Sequence, residues 1–310
     1  MDMLANFLMV GQQALVLFIL ILVGFCCGKA KLFGQETVTG MTDLVLYIVV
    51  PCSLISAFQL DLTAETLHDF LLSMLLAFLI IIGCFLAAQA LIREKDPDRK
   101  RVFCLATAMT NCNFMAFPLQ TALIGPSGIF YGSAYATMSP LLFWTGGVVY
   151  LSGDARSFSW KKAVCNPGIT GIVLGLFFFF TGLQLPEVLM TVVDDISAVN
   201  IPLPMIIIGY QLSHADLRHV ILDKMSWLCA FLRLLALPLA ALFLMYLCGI
   251  RGNVLIGTIV AAACPAGTLV AMMAEKCGKE AQLAAELVSF QTLLSVITIP
   301  IIVGLAETLV

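Results

Sequence analysis

Two asparagines and a proline lie in the middle of an apolar stretch, where they could bind a polar ligand inside a membrane. Asn111, Asn113 and Pro118 belong to a hydrophobic run long enough to cross a bilayer. Pro118 has no N–H and is expected to break a helix here, which would leave backbone carbonyl and amide groups without partners. Such a break is tolerated only beside protein or a watery cavity. The stretch is therefore a candidate binding site.

The elements that must position these residues are membrane helices. The chain has 310 residues, 61% hydrophobic and 11% charged, whereas a soluble domain carries about 25% charged residues. We therefore expect an all-α polytopic membrane protein with lipid as its surroundings and no nucleic-acid partner. Ten segments are predicted to be transmembrane helices, at about residues 5–28, 38–59, 68–92, 102–124, 127–151, 165–185, 194–213, 225–249, 253–274 and 280–306.

The basic residues predict the orientation of these segments. With the N-terminus outside, fourteen of the sixteen Lys and Arg residues fall into inward-facing loops. Arg251 faces outward and Arg233 lies within a segment. The positive-inside rule then predicts an even number of spans with both termini outside. The outward loops instead carry acidic residues, namely Asp61, Glu65, Glu187, Asp194 and Asp195.

The two halves of the chain share a pattern of prolines. Pro51 in the second segment corresponds to Pro202 and Pro204 in the seventh, and Pro118 in the fourth corresponds to Pro265 in the ninth. Matching proline-interrupted segments in two inverted halves indicate a transporter binding site. The alternative is that these prolines only kink their helices.

Two interrupted helices predict a site for an anion. The matching segments are five positions apart, which is an odd number, so the second half, residues 152–310, would be inverted relative to the first, residues 1–151. A resumed helix presents free N–H groups and roughly half a positive elementary charge. We expect these new N-termini at 118–120 and 265–268, where Gly267 and Thr268 would let a carboxylate approach the backbone.

Other polar side chains are candidates for the same site. Asn111 and Asn113 can donate hydrogen bonds to a carboxylate or offer their carbonyl oxygens to a cation, although they could instead hold helices together. Ser53 could add a hydroxyl group beside Pro51. The weaker candidates for substrate binding are Tyr210, Gln291 and Thr292.

Two charged residues lie inside predicted spans. Arg233 and Glu286 are each about 10 Å from the inner surface, and charges at such depth usually serve a function. Either the two side chains pair, or Glu286 titrates with a coupling ion, H⁺ or Na⁺. Arg233 could alternatively extend to the headgroups. The cysteines and histidines are not spaced as metal ligands, so we expect no metal and no cofactor.

The fourth and last segments resemble the auxin efflux carrier family, which includes plant PIN auxin carriers and bacterial permeases for malate and malonate. The family's fourth segment usually reads Asn, any residue, Gly, Phe, an apolar residue, Gly, any residue, Pro. Asn111, Phe114 and Pro118 match this pattern, while Asn113 and Ala116 replace the two glycines. The other similar stretches are 289–300, Pro265 with Ala271, and Cys277-Gly278.

This resemblance implies two inverted five-helix repeats, with segments four and nine crossing at their prolines. Segments one, two, six and seven would form a scaffold, and the other six a transport domain that moves like an elevator. It also implies a homodimer through the scaffold in a bacterial plasma membrane. By analogy, Asn111, Pro118 and Pro265 would line the carboxylate site, with Ser53 facing it from the scaffold.

We therefore expect a secondary transporter of a small mono- or dicarboxylate. The free energy would come from the substrate gradient, the membrane potential, or co-transported H⁺ or Na⁺. A channel or a non-transporting sensor of the same fold is the alternative. An enzyme is not expected, because the sequence offers no nucleophile with a base, paired-carboxylate motif or metal cluster.

Overall fold

The computed structural model describes the backbone of residues 2–125, 127–154, 156 and 167–309. Within these ranges it describes all side chains except those of 2–11, 13, 14, 113 and 167–169. The predicted roles of the Asn113 side chain and of the basic residues Lys161 and Lys162 therefore lie outside the described residues.

The described chain is almost entirely helical. Within the described ranges, the β-structure consists of one isolated antiparallel bridge between Thr110 and Ala266. The helices are α1 Asp2–Lys29, α2 Gln35–Ala57, α3 Ala64–Leu91, α4 Pro97–Ala108, α5 Phe117–Ile124, α6 Gly128–Leu142, α7 Val148–Ser152, α8 Pro167–Thr181, α9 Glu187–Ala198, α10 Pro202–His214, α11 Arg218–Leu222, α12 Lys224–Leu247, α13 Gly252–Ala263, α14 Thr268–Lys276 and α15 Ala281–Glu307.

Among the described residues, five helices are long and apolar enough to cross a membrane: α2, α3, α9 with α10, α12 and α15. Shorter apolar helices lie at Leu15–Lys29, Phe114–Ile124, Thr170–Thr181 and Gly252–Ala263. Large apolar side chains such as Leu75 and Phe243 are exposed on these helices, as expected for surfaces that face lipid. The prediction of an all-α membrane protein is confirmed at this level.

Three prolines each follow a helical turn that contains one extra residue, and their helices do not break there. Before Pro118, for example, the Phe117 N–H donates to the Cys112 carbonyl, five residues back. This π-type turn gives the proline ring room and removes the need for its missing N–H. The widened turns are Val45–Val49 before Pro51, Cys112–Ala116 before Pro118 and Leu232–Ala236 before Pro238. The predicted interruption at Pro51 is therefore wrong, because α2 runs through it.

The seventh predicted segment is interrupted briefly. Helix α9 ends at Ala198 and α10 begins at Pro202, where a proline is tolerated because the first N–H groups of a helix have no internal partner. Pro204 lies within the first turn of α10. Thus the helix of the second segment continues through Pro51, whereas the seventh segment is interrupted just before Pro202.

The core surrounds the fourth and ninth predicted segments. In α4, every residue from Val102 to Ala108 is buried, and in α13 the same holds from Val254 to Ala263. Helix α1 packs closely on α10, because Gly24 and Gly209 bring the two backbones into contact. The most enclosed part of the molecule is therefore the place where interrupted helices meet.

Candidate functional site

The two interrupted segments are joined by backbone hydrogen bonds. Between α4 and the widened turn at Cys112, and between α13 and α14, the chain becomes extended. The Asn111 N–H donates to the Pro265 carbonyl over 2.8 Å, and the Gly267 N–H donates to the Met109 carbonyl over 3.1 Å. This antiparallel pairing, which we call the crossing, satisfies backbone groups that the interruptions release.

The interruption in the fourth segment is not where the sequence predicted it. It lies at 109–111, seven residues before Pro118. The helix resumes at Cys112, so the new N-terminus is not at 118–120, and this prediction is wrong. Pro118 is buried near the start of α5, where the widened turn accommodates it. In the ninth segment, Pro265 does lie in the interruption, as expected.

Arg233 is fully buried and binds the crossing from α12. Its Nε donates to the Cys264 carbonyl over 3.0 Å, its Nη1 to the Thr107 carbonyl over 3.1 Å and its Nη2 to the Ala262 carbonyl over 2.6 Å. The alternative that Arg233 extends to the headgroups is therefore wrong. The guanidinium remains inside because three carbonyl oxygens compensate for its lost hydration.

The predicted pairing of Arg233 with Glu286 is also wrong. The ion pairs among the described residues do not include either side chain. Glu286 is buried in α15, and its Oε1 accepts a hydrogen bond of 2.7 Å from Gln282 Nε2. The backbone of the crossing satisfies Arg233, so a carboxylate partner is not required. The alternative, that Glu286 titrates with a coupling ion, stays a prediction.

Gln291 supports the crossing from α15. Its Oε1 accepts a hydrogen bond of 3.0 Å from the Ala266 N–H, and its Nε2 donates to Cys229 Sγ over 3.3 Å. The side chain is fully buried. The structure thus assigns both ends of this amide to protein partners.

A small cavity lies beside the crossing. The space inside it that a water molecule can reach is about 10 Å³, room for about one water molecule and well below the roughly 300–1,000 Å³ of pockets for drug-sized ligands. It is partly open and lies between Asn111, the start of α14, and helices α10 and α15. The polar side chains that line it are Asn111, Gln211, Thr268, Ser289 and Thr292, and the apolar ones are Ile208, Leu212 and Val288.

The electrostatics of the cavity come from the backbone. All its lining side chains are uncharged. Thr268, however, is the first residue of α14, and the first N–H groups of a helix carry a partial positive charge. A helix N-terminus of this kind can bind an anion.

Three predicted site residues line the cavity: Asn111, Thr268 and Thr292. Thr292 also donates to the Val288 carbonyl within its helix. The sequence interpretation missed Gln211 and Ser289. Gln211 stands out afterwards as an amide in the apolar helix α10, next to the candidate Tyr210.

Two other candidates have protein partners away from the cavity. The Ser53 hydroxyl donates to the Val49 carbonyl and accepts from the Ser197 hydroxyl. The Tyr210 ring stacks on Phe33 at a centroid distance of 5.6 Å. Neither Ser53 nor Tyr210 is among the described residues that line the cavity, so the expected position of Ser53 opposite the crossing is not found.

Ion pairs connect the ends of the helices that form the crossing. Asp98, near the start of α4, binds Lys279 Nζ over 2.8 Å and Arg101 Nη1 over 2.7 Å. Arg99 binds Asp223, the N-cap residue of α12, over 2.7 Å. The hydrogen bond and charge of Lys279 lower the pKa of the Asp98 carboxyl.

The helical fold, the apolar helices and the paired interruptions are typical of a membrane transport protein. The chain belongs to the auxin efflux carrier family, because the family model described as "Membrane transport protein" matches residues 9–158 and 153–303. The family resemblance of the fourth and last segments is thereby confirmed.

Two archaeal proteins are similar over most of their length. A protein of Methanothermobacter thermautotrophicus described as an uncharacterized transporter is 26% identical over 295 residues, covering 94% of this chain and 96% of the relative. Another uncharacterized transporter, from Methanocaldococcus jannaschii, is 24% identical over 253 residues, covering 77% of this chain and 80% of the relative.

Proposed function

We propose that this membrane transporter carries small organic anions, with a mono- or dicarboxylate as substrate. The observation that carries the proposal is the cavity beside the crossing. It is partly open, its lining side chains are uncharged, and α14 begins at its wall. Helix N-termini bind carboxylates without a charged side chain. Asn111, Gln211 and Thr268 would add hydrogen bonds that orient the substrate.

We further propose ten transmembrane helices in two inverted five-helix repeats, residues 1–151 and 152–310, that work by an elevator movement. Hydrogen bonds that side chains make to other segments support a separate scaffold and transport domain within this arrangement, because they form two groups. One group joins α2 to the region of α9, through Ser56 with Asp194 and Ser53 with Ser197. The other group joins α4, α5, α12, α13 and α15. Each group would move as one body.

Counterflow in proteoliposomes tests the function. Vesicles are loaded with unlabelled carboxylate, and radiolabelled carboxylate is added outside; the compound is chosen by a thermal-shift screen. A ligand at a hundred times its Kd stabilises a protein by about 2.7 kcal/mol, which such a screen detects. A carrier accumulates the label transiently because internal substrate accelerates exchange. Equilibration without overshoot would indicate a channel and contradict the proposal.

The Asn111→Ala variant tests whether the substrate binds in the cavity that Asn111 lines. We expect it to abolish counterflow while the protein stays folded, because the lost amide lines the cavity. Asn253→Ala is the matched control, since Asn253 is exposed at the start of α13. Equal loss in the two variants, or activity retained in Asn111→Ala, would remove Asn111 from the site.

The proposed orientation places both termini outside a plasma membrane and the 93–101 loop in the cytoplasm. Its support is the asymmetry of basic residues. Single cysteines introduced in this loop should react with a membrane-impermeant maleimide only after the cells are opened. Labelling of intact cells would contradict the orientation.

The proposed homodimer through the scaffold is tested by measuring the mass of the detergent-solubilised protein.

Glu286 is the proposed site of ion coupling. It is a buried carboxyl one turn from Ser289, which lines the cavity. Replacement by Gln keeps the shape of the side chain and removes the carboxyl group. We expect Glu286→Gln to flatten the dependence of transport on pH or on Na⁺. A profile that matches the wild type would leave Glu286 with a structural role only.

A further inference from the structure

Arg233 binds carbonyl oxygens whose usual helical donors take part in the crossing. In an uninterrupted helix, the Thr107 carbonyl would accept from the Asn111 N–H, four residues later. The Asn111 N–H donates instead to the Pro265 carbonyl. The Thr107 carbonyl is thereby left without a helical donor, and Arg233 Nη1 binds it.

The end of α13 shows the same exchange of partners. The Ala262 carbonyl would accept from the Ala266 N–H in a continuous helix, but that N–H donates to Gln291 Oε1. Arg233 Nη2 binds the Ala262 carbonyl in its place, and Nε binds the Cys264 carbonyl within the interruption. One side chain therefore satisfies the carbonyl ends of both interrupted helices.

The charge of Arg233 matches these helix ends. Each helix C-terminus carries roughly half a negative elementary charge, so the ends of α4 and α13 together offset one guanidinium. Among the described residues, no ion pair includes Arg233. The buried charge is balanced by backbone dipoles rather than by a carboxylate, which distinguishes it from a buried salt bridge.

We infer that Arg233 is a positioning residue that fixes the two interruptions against each other and cancels the negative ends of their helices. The positive N-terminal ends then dominate the field in the cavity, and this electrostatic part rests on the proposed binding of an anion. Arg233 is not among the residues that line the cavity. It acts on a substrate only through the backbone of the crossing.

Hydrogen exchange tests the positioning role without any ligand. The full-length protein in nanodiscs is compared with Arg233→Met and Arg233→Lys, and exchange is followed in peptides that cover 106–113 and 262–270. We expect exchange there to be roughly tenfold faster in Arg233→Met, since local opening becomes easier. Arg251→Met is the control, because Arg251 is exposed and also donates to two carbonyls. Unchanged protection in Arg233→Met would overturn the inference.

Malonate binding, measured by calorimetry, tests the electrostatic role. Lysine keeps the charge but has one nitrogen where arginine has three. We therefore expect Arg233→Lys to lose protection at the crossing while its Kd stays within about threefold of wild type, and Arg233→Met to bind roughly tenfold more weakly. Equal weakening in both variants would contradict the charge effect, because a purely structural contact predicts it.

The two measurements separate failure of the inference from failure of the proposed function. If the wild-type protein binds neither malonate nor another carboxylate of the screen, the proposed function and the electrostatic role both fail. The exchange rates then still decide whether Arg233 positions the crossing. If malonate binds and protection is unaffected by Arg233→Met, the function stands and the positioning role is refuted.

Discussion

Widened turns and full interruptions both occur in the helices of this molecule, and they differ in the partners that the backbone groups find. In α2 and α12, the helix passes Pro51 and Pro238 with one widened turn. At the crossing, the backbone leaves the helical conformation altogether, although the interruption at 109–111 contains no proline. Proline alone therefore does not determine where a helix ends in this protein.

The difference teaches that a full interruption needs its own hydrogen-bond partners. Arg233 supplies donors for carbonyl groups, Gln291 supplies an acceptor for the Ala266 N–H, and the extended segments bind each other. At Pro51, the helix is instead maintained by its own backbone, because the Val50 N–H donates to the Val45 carbonyl, five residues back.

The largest effect is expected from Gln291→Leu. This change leaves the Ala266 N–H buried without an acceptor, which costs about 1–3 kcal/mol. We expect a lower unfolding temperature in detergent and faster exchange in the peptide that covers 262–270. Gln184→Leu, at an exposed position, is the matched control and should change little. Equal stability of the two variants would mean that the crossing does not depend on Gln291.

A smaller effect is expected from proline replacement, and it should differ between the two kinds of site. Pro265→Ala restores an N–H that can extend α13 into the interruption, so carboxylate affinity should fall roughly tenfold. Pro118→Ala acts inside a helix that already continues, and affinity should change less than about threefold. Calorimetry on both variants checks this ratio. A greater loss in Pro118→Ala would reverse the comparison.

The smallest effect is expected at the ion pairs on the edge of the crossing helices. Lys279 lowers the pKa of Asp98 from the usual 3.8, so the folded state gains stability above that pKa and loses it as the pH falls through the lowered value. The difference in unfolding temperature between wild type and Lys279→Met should therefore persist from neutral pH to about pH 5 and shrink below about pH 4. Lys276→Met, which alters an exposed neighbour, should show no such pH dependence.

The positions of the helices could be predicted from the sequence because long apolar runs leave few alternatives. The third predicted segment, 68–92, corresponds to Ala64–Leu91, and the eighth, 225–249, to Lys224–Leu247. The interruption at Pro265 could also be predicted, since its proline lies among small residues. The position of Arg233 inside a helical segment could also be predicted, although the expected partner was wrong.

The remaining features could not be predicted because they depend on backbone groups that every residue carries. The partners of Arg233 are three carbonyl oxygens, and nothing in the residue types at 107, 262 and 264 indicates them. The interruption at 109–111 likewise has no proline or glycine to mark it. Gln211 and Ser289 become recognisable only when α10 and α15 are seen around one cavity.

The proposed ligand of the cavity beside the crossing is an anion, and the sign of its charge can be tested directly. Thr268 lines the cavity as the first residue of α14, where an acidic residue stabilises a helix, so Thr268→Asp should fold normally. We expect Thr268→Asp to abolish carboxylate binding in calorimetry, because a fixed negative charge would face the substrate. Thr268→Asn, which is neutral and of similar size, should bind within several-fold of wild type. Carboxylate binding in Thr268→Asp as tight as in Thr268→Asn would contradict the account.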